Sequence, residues 1–146
     1  MIDRFARFSL AISEIDRCWH KLAAEEMAKH DLNIAHAFYL TTLIQYPQGI
    51  TAAKLSELCC KNKADVSRMI SILEKKGFIR KEAGYRATIH LTQSGEKLAE
   101  TINAKVMAVV SYAGKDLSEE NRNTFYTCLE SLVQNLQVLS QNGLET

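Results

Sequence analysis

The chain has 146 residues, of which 47% are apolar and 24% charged, and its formal net charge is +1. That composition supports one compact core and excludes both a disordered chain and a polycation that would meet anions with its whole surface. No apolar run approaches the roughly 18 residues of a bilayer-spanning helix. The first five residues show no basic stretch leading into an apolar one, so a cytoplasmic protein with no membrane partner is expected.

The elements follow in chain order. Phe5, Phe8, Ile12, Ile15, Trp19, Leu22 and Ala23 recur every three or four residues and predict a first helix over 5–29. Ile34, Phe38, Leu40, Leu43 and Ile44 predict a second over 33–45. Gly49, after Pro47 and Gln48, breaks the chain. Thr51 then caps a short helix through Leu55, Leu58 and Cys59. Asn62 caps the next, with Asp65 at the third helical position as an approximate capping box, and Gly77 ends it behind Lys75 and Lys76. Residues 78–83 and 86–91 read as two strands joined through Gly84 and Tyr85, with Ile79, Ile89 and Leu91 inward. Two long helices follow over 93–113 and 118–140. Gly95 falls near the start of the first. Ser118 caps the second, whose stripe is Phe125, Leu129, Leu132, Leu136 and Leu139.

Charge is concentrated in the middle. Residues 61–90 carry eight basic against three acidic side chains, while the segments on either side are neutral or acidic. A basic cluster on a helix and the hairpin after it is the footprint of a nucleic-acid binder, or else a solvated helix face. The pattern within the helix after Asn62 favours the first reading. At about 100° per residue, with Lys63 at zero, Ser67, Ser71, Ala64, Lys75 and Arg68 fall between roughly 40 and 140°. Met69, Leu73, Val66 and Ile70 fall between roughly 240 and 340°. One face can pack, and the other presents small, polar or cationic groups that let the helix approach a groove floor.

Several stretches resemble a known family. Ile50-Thr51-Ala52-Ala53-Lys54-Leu55-Ser56-Glu57-Leu58, then Val66-Ser67-Arg68, then Leu73-Glu74-Lys75-Lys76-Gly77-Phe78-Ile79 are similar to the winged-helix core of MarR-family transcriptional regulators. Leu91-Thr92-Gln93-Ser94-Gly95-Glu96-Lys97-Leu98 resembles the segment entering that family's fifth helix, and the last helix resembles its dimerisation helix. The resemblance implies a mainly α fold with a small β-wing: a winged helix-turn-helix region over 31–92, an N-terminal dimerisation helix over 1–30 and C-terminal dimerisation helices over 93–146. It implies a homodimer on double-stranded DNA at a pseudo-palindromic operator, as a repressor relieved by a small aromatic or phenolic effector or by oxidation. Ser67 and Arg68 match the groove-contacting pair, Lys63 a helix-start contact, and Arg86 the wing arginine aimed at the minor groove. Thr51, Lys54 and Ser71 join the DNA-contacting set. Ala64 offers only a methyl contact to thymine. Asp65 either accepts from a cytosine amino group or caps its own helix. The usual turn glycine is replaced by Cys60, and the wing is short.

Other residues carry weaker signals. Trp19, His36 and Tyr39 would line an effector pocket where the first, second and fifth helices meet the winged region, or Trp19 would belong to the dimer core. Cys18 follows Arg17, which favours a reactive thiolate, whereas a buried structural thiol is the commoner role. Cys128 reads as core. With no C-x-x-C pair among Cys18, Cys59, Cys60 and Cys128, no zinc finger or secreted disulfide framework is expected. His20, Glu26, His30 and His36 are too scattered to predict a metal site, and no catalytic constellation or cofactor motif appears, so an enzyme is not expected. Two competing functions remain: a winged-helix module that binds protein rather than DNA, and a thiol-based redox regulator.

Overall fold

The computed structural model describes residues 2–84 and 87–144. Its elements run α1 (Ile2–Ala28), α2 (Ile34–Leu43), β1 (Ile50–Thr51), α3 (Ala52–Cys59), α4 (Lys63–Lys75), β2 (Ile79–Lys81), β3 (Thr88–Leu91), α5 (Gln93–Ala113) and α6 (Glu119–Asn142). The three strands form an antiparallel sheet in the order β1-β3-β2. The fold is therefore mainly α with a small β-wing, as expected. The chain divides into two compact units, Met1–Lys105 and Val106–Thr146.

In the first unit, local chemistry sets each boundary. Asn33 starts α2: its side chain accepts from the His36 N–H, and His36 Nδ1 accepts from the Asn33 N–H at 2.9 Å. Histidine thus takes the place that Glu or Gln holds in an ordinary capping box. Thr51 starts α3 by accepting the Lys54 N–H at 3.2 Å. The same two-residue segment pairs as β1 with β3, Ile50 against Ile89 and Thr51 against Thr88. Cys60 ends α3 in the left-handed conformation, φ 51° and ψ 41°, which normally favours glycine. Asn62 starts α4, its Oδ1 accepting the Asp65 N–H at 2.9 Å. The expected reciprocal half of that capping box is replaced, because the Asp65 carboxylate turns to Arg68. Beyond α4 the Gly77 N–H bonds to Glu74 O and the Phe78 N–H to Leu73 O, both at 3.0 Å, with Gly77 at φ 80°. That is a Schellman-type stop feeding directly into β2.

The strands, Ile79–Lys81 and Thr88–Leu91, are shorter than the expected 78–83 and 86–91. Ile79 pairs with Leu91, Arg80 with His90 and Lys81 with Ile89. Ile79 and Ile89 are buried and Leu91 is half-buried. The expected hairpin residues Tyr85 and Arg86 lie outside the described residues.

The core of this unit joins Leu40 and Leu43 of α2, Leu55 of α3, Val66, Ile70 and Leu73 of α4, Ile79 and Ile89 of the sheet, and Leu98, Ala99 and Ile102 of α5. Burying each large aliphatic side chain contributes about 1.5–3 kcal/mol, so the helices are held mainly by this shared interior. The expected apolar stripe of α1, from Phe5 to Leu22, is largely uncovered, with Phe5 75% exposed.

In the second unit, Ser118 caps α6 by accepting the Asn121 N–H at 3.1 Å. Arg122 Nη2 donates to Gly114 O at 2.8 Å and braces the turn between the helices. No described residue of α6 is buried. Its stripe, Phe125, Leu129, Leu132, Leu136 and Leu139, stands open, and Cys128 is exposed rather than core.

Candidate nucleic-acid interface

Helix α4 divides as its periodicity requires. Val66, Ile70 and Leu73 are buried, while Lys63, Ala64, Ser67, Arg68, Ser71 and Lys75 are exposed. The exposed face is rich in short side chains, with cations at its start, centre and end. Met69 is half-buried and Ile72 lies at the boundary. The Asn62 cap leaves the α4 N-terminus facing outward, with Lys63 at its first position.

Ion pairs sort the basic residues. Arg68 pairs with Asp65 three residues earlier on the same helix. Lys76 reaches Asp31 at 3.1 Å and ties the end of α4 to the α1–α2 link. Arg80 lies 3.9 Å from Glu82, and Lys54 lies 3.5 Å from Glu57. Lys61, Lys63, Lys75 and Lys81 have no ion-pair partner among the described residues. Their charge faces outward and attracts anions from solvent. A surface crevice beside α4's neighbours is lined by Thr51, Ala52 and Ala53 at the start of α3 and by Lys81, Ala87 and Ile89 of the hairpin.

At the base of the wing, His90 is held between Thr88 and Glu82. Its Nε2 is 2.8 Å from Thr88 Oγ1 and 3.1 Å from a Glu82 carboxylate oxygen. The imidazole also lies against Gly49, where an added Cβ would come within 2.5 Å of the ring.

The proposed effector residues separate by exposure. His36 is 6% exposed and Tyr39 2%, both enclosed by the core, whereas Trp19 is 39% exposed on α1. Burial holds the His36 imidazole below its ordinary pKa, with the Lys76 charge adding to the effect. Burial pushes the Tyr39 phenol up, helped by Cys59 and Asp65. His36 Nε2 and the Tyr39 hydroxyl have no hydrogen-bond partner among the described residues.

Cys18 is exposed rather than buried, with its Sγ 3.7 Å from Arg17 Nη2 and 3.6 Å from a Glu14 oxygen. Arg17 itself is engaged by Glu14. Cys59 is buried, which raises its pKa, and Cys60 is exposed. No group of three His, Cys, Asp or Glu side chains is placed to hold a metal among the described residues. Nor, among them, is any helix long and apolar enough to cross a membrane.

Three features escaped sequence reasoning. The Asp65–Arg68 pair was available from the three-residue helical spacing. The His36 cap was not, because histidine is an unusual third-position partner. The exposed Lys81 sits in the basic run, where residue spacing alone does not distinguish it from the paired Arg80.

Comparison with known proteins places this geometry. The sequence model of the MarR family matches residues 32–84. A helix-turn-helix-type transcriptional regulator of Bacillus cereus is 32% identical over 109 residues, covering 73% of this chain and 74% of the relative. Among solved structures, S. aureus MepR in complex with DNA superposes with a TM-score of 0.78 at 22% identity, covering 88% of this chain and 97% of that one. A MarR-family regulator from Listeria monocytogenes complexed with 26mer DNA superposes with a TM-score of 0.77 at 22% identity, covering 93% and 95%.

Proposed function

The chain belongs to the MarR family of transcriptional regulators, and from that premise we propose that it is a homodimeric repressor that binds a pseudo-palindromic DNA operator in the cytoplasm. The observation that carries this reading is the exposed face of α4, where Ser67, Arg68 and Ser71 stand clear of the core behind a capped N-terminus. Short side chains let the helix backbone come near the major-groove floor, and Arg68 supplies donors that match guanine O6 and N7. Lys63, Lys54 and Thr51 serve the phosphates, since helix N-termini and cations suit anions. Ala64 and Asp65 lie at the same contact face, and Arg86 reaches the adjacent minor groove.

The uncovered stripes of α1 and α6 support the homodimer. In this reading residues 1–30 and 93–146 serve dimerisation and residues 31–92 serve DNA. Two α4 copies then lie about 34 Å apart, one DNA turn, or a multiple of it. A small phenolic or aromatic effector relieves repression by entering near Trp19, His36 and Tyr39. The unpartnered His36 Nε2 and Tyr39 hydroxyl are the polar groups that it would satisfy.

Selection of bound sequences from random DNA with the purified protein tests the proposal. The expected result is an enriched inverted repeat whose half-sites are spaced by about one helical turn. No enrichment over input, with salt-independent retention, would favour a protein-binding winged-helix module instead. One observation supports a thiol-responsive variant of the same function: Cys18 is exposed beside Arg17. Under that variant peroxide abolishes operator binding and Cys18→Ser prevents the loss.

A further inference from the structure

The Asp65 carboxylate accepts a hydrogen bond from Arg68 Nη2, one turn along α4. We propose that Asp65 is a positioning residue for base recognition, holding the Arg68 guanidinium so that its remaining donors address one base pair instead of a phosphate. The assignment rests on the DNA-binding reading above and deepens it.

The geometry favours Asp65 as anchor and Arg68 as the group held. The Asp65 backbone is fixed in the first turn, its N–H bound by Asn62 Oδ1 at 2.9 Å. Its side chain is 38% exposed against 71% for Arg68, so the less mobile partner is the carboxylate. A guanidinium carries five N–H donors in one plane. Asp65 occupies part of one edge and leaves the rest free for a bidentate contact with a base edge. Without the pair, a long cationic side chain beside Lys63 and Lys75 has no reason to prefer a base over the nearby phosphates.

The carboxylate also has a contrary effect. A negative charge at the α4 face repels every phosphate of any duplex, whatever the sequence. Asp65 therefore lowers affinity for random DNA while raising discrimination at one base pair. These two effects have opposite signs, which separates positioning from a merely structural role. Loss of helix stability would weaken both kinds of binding together.

The test uses the full chain with Asp65→Asn, Asp65→Glu, Arg68→Ala and the Asp65→Asn/Arg68→Ala double variant. Affinity is measured for the selected operator, for a random duplex, and for the operator altered at the base pair where Arg68→Ala loses preference. Circular dichroism melting reports on folding. Asp65→Asn is expected to lower discrimination at that pair about tenfold and to raise random-duplex affinity about two- to fivefold at low salt. Asp65→Glu, which can still reach Arg68, restores most of the discrimination. The double variant discriminates no worse than Arg68→Ala alone. Unchanged or improved discrimination in Asp65→Asn overturns the assignment, as does an additive loss in the double variant or a joint fall in both affinities with the melting temperature. A wild-type chain that fails to distinguish operator from random DNA overturns the DNA-binding reading itself, and this assignment with it.

Discussion

Gly95 lies so close to the Phe78 carbonyl that a Cβ at position 95 would sit 1.9 Å from its oxygen. The start of α5 is thus pressed onto the chain leaving α4. Thr92 makes the same connection: its N–H bonds to Phe78 O at 3.0 Å, its hydroxyl donates to Gly77 O at 2.6 Å, and it accepts the Gly95 N–H at 3.1 Å. The spacing of Leu91-Thr92-Gln93-Ser94-Gly95 therefore has a physical cause, which is docking of a helix start against the end of the winged core. Gly95→Ala cannot be relieved by rotating a side chain, because the obstacle is backbone. It is expected to destabilise the protein by about 3 kcal/mol, read from urea unfolding. A change below about 1 kcal/mol would mean that this approach is looser than described.

Cys60 makes the opposite prediction. It occupies a left-handed conformation at φ 51°, which disfavours any residue bearing a Cβ by about 1–2 kcal/mol. Its thiol is exposed and makes only a long contact, 3.8 Å, to Glu57 O. Cys60→Gly is expected to stabilise the chain by up to about 1 kcal/mol, the gain being reduced by the freedom that glycine has when unfolded. Thermal melting of the two proteins checks it, and a lower midpoint for the glycine variant would contradict it.

His36 sets a pH dependence. Its folded pKa lies below the ordinary value of 6.5, first through burial and then through the Lys76 charge. The unfolded chain therefore binds the proton more readily. Stability is complete above about pH 6.5 and falls as the pH drops from there towards the folded pKa. Protonation would also put a hydrogen on Nδ1, which accepts the Asn33 N–H and so holds the start of α2. Glu14 and Glu26, whose pKa values are lowered chiefly by bonds to Arg17 and Lys29, lose their contributions at more acid pH, below the carboxylate value of 4.5. His36→Gln keeps a capping acceptor at the same place and removes the titration. Its urea midpoint is expected to change less than the wild-type midpoint between about pH 7 and pH 5. Equal slopes would acquit His36.

The open stripe of α6 predicts the assembly. Leu132 and Leu136 are both exposed in the single chain. If the chain assembles as the proposed homodimer, Leu132→Glu with Leu136→Glu is expected to yield monomers by sedimentation equilibrium. Operator affinity should fall at least a hundredfold, because one half-site no longer assists the other. A variant that stays dimeric would move the interface away from this stripe.

The sequence made much of this legible, and the gaps have reasons. Helix periodicity and the caps Thr51, Asn62 and Ser118 located α3, α4 and α6 because those signals are local. β1 was invisible: two residues show no alternation, and Ile50 and Thr51 become a strand only through pairing with Ile89 and Thr88. Cys18 and Cys128 are both exposed in the single chain, because their helices bear apolar stripes that one chain leaves uncovered; helix periodicity alone reads Cys128 as core and leaves Cys18 open between a reactive and a structural thiol. The polar face of α4 was legible from residue spacing, whereas the turn of Asp65 away from its cap and towards Arg68 depended on side-chain geometry.

Comparative titration of wild type and Arg68→Ala, on the selected operator and on random duplex at matched salt, tests the central claim most directly. Arg68→Ala is expected to cost about 1–3 kcal/mol on the operator and much less on random DNA, relaxing preference at one base pair of each half-site. Equal losses on both duplexes would show that Arg68 contacts phosphate alone and that the exposed face of α4 does not read sequence.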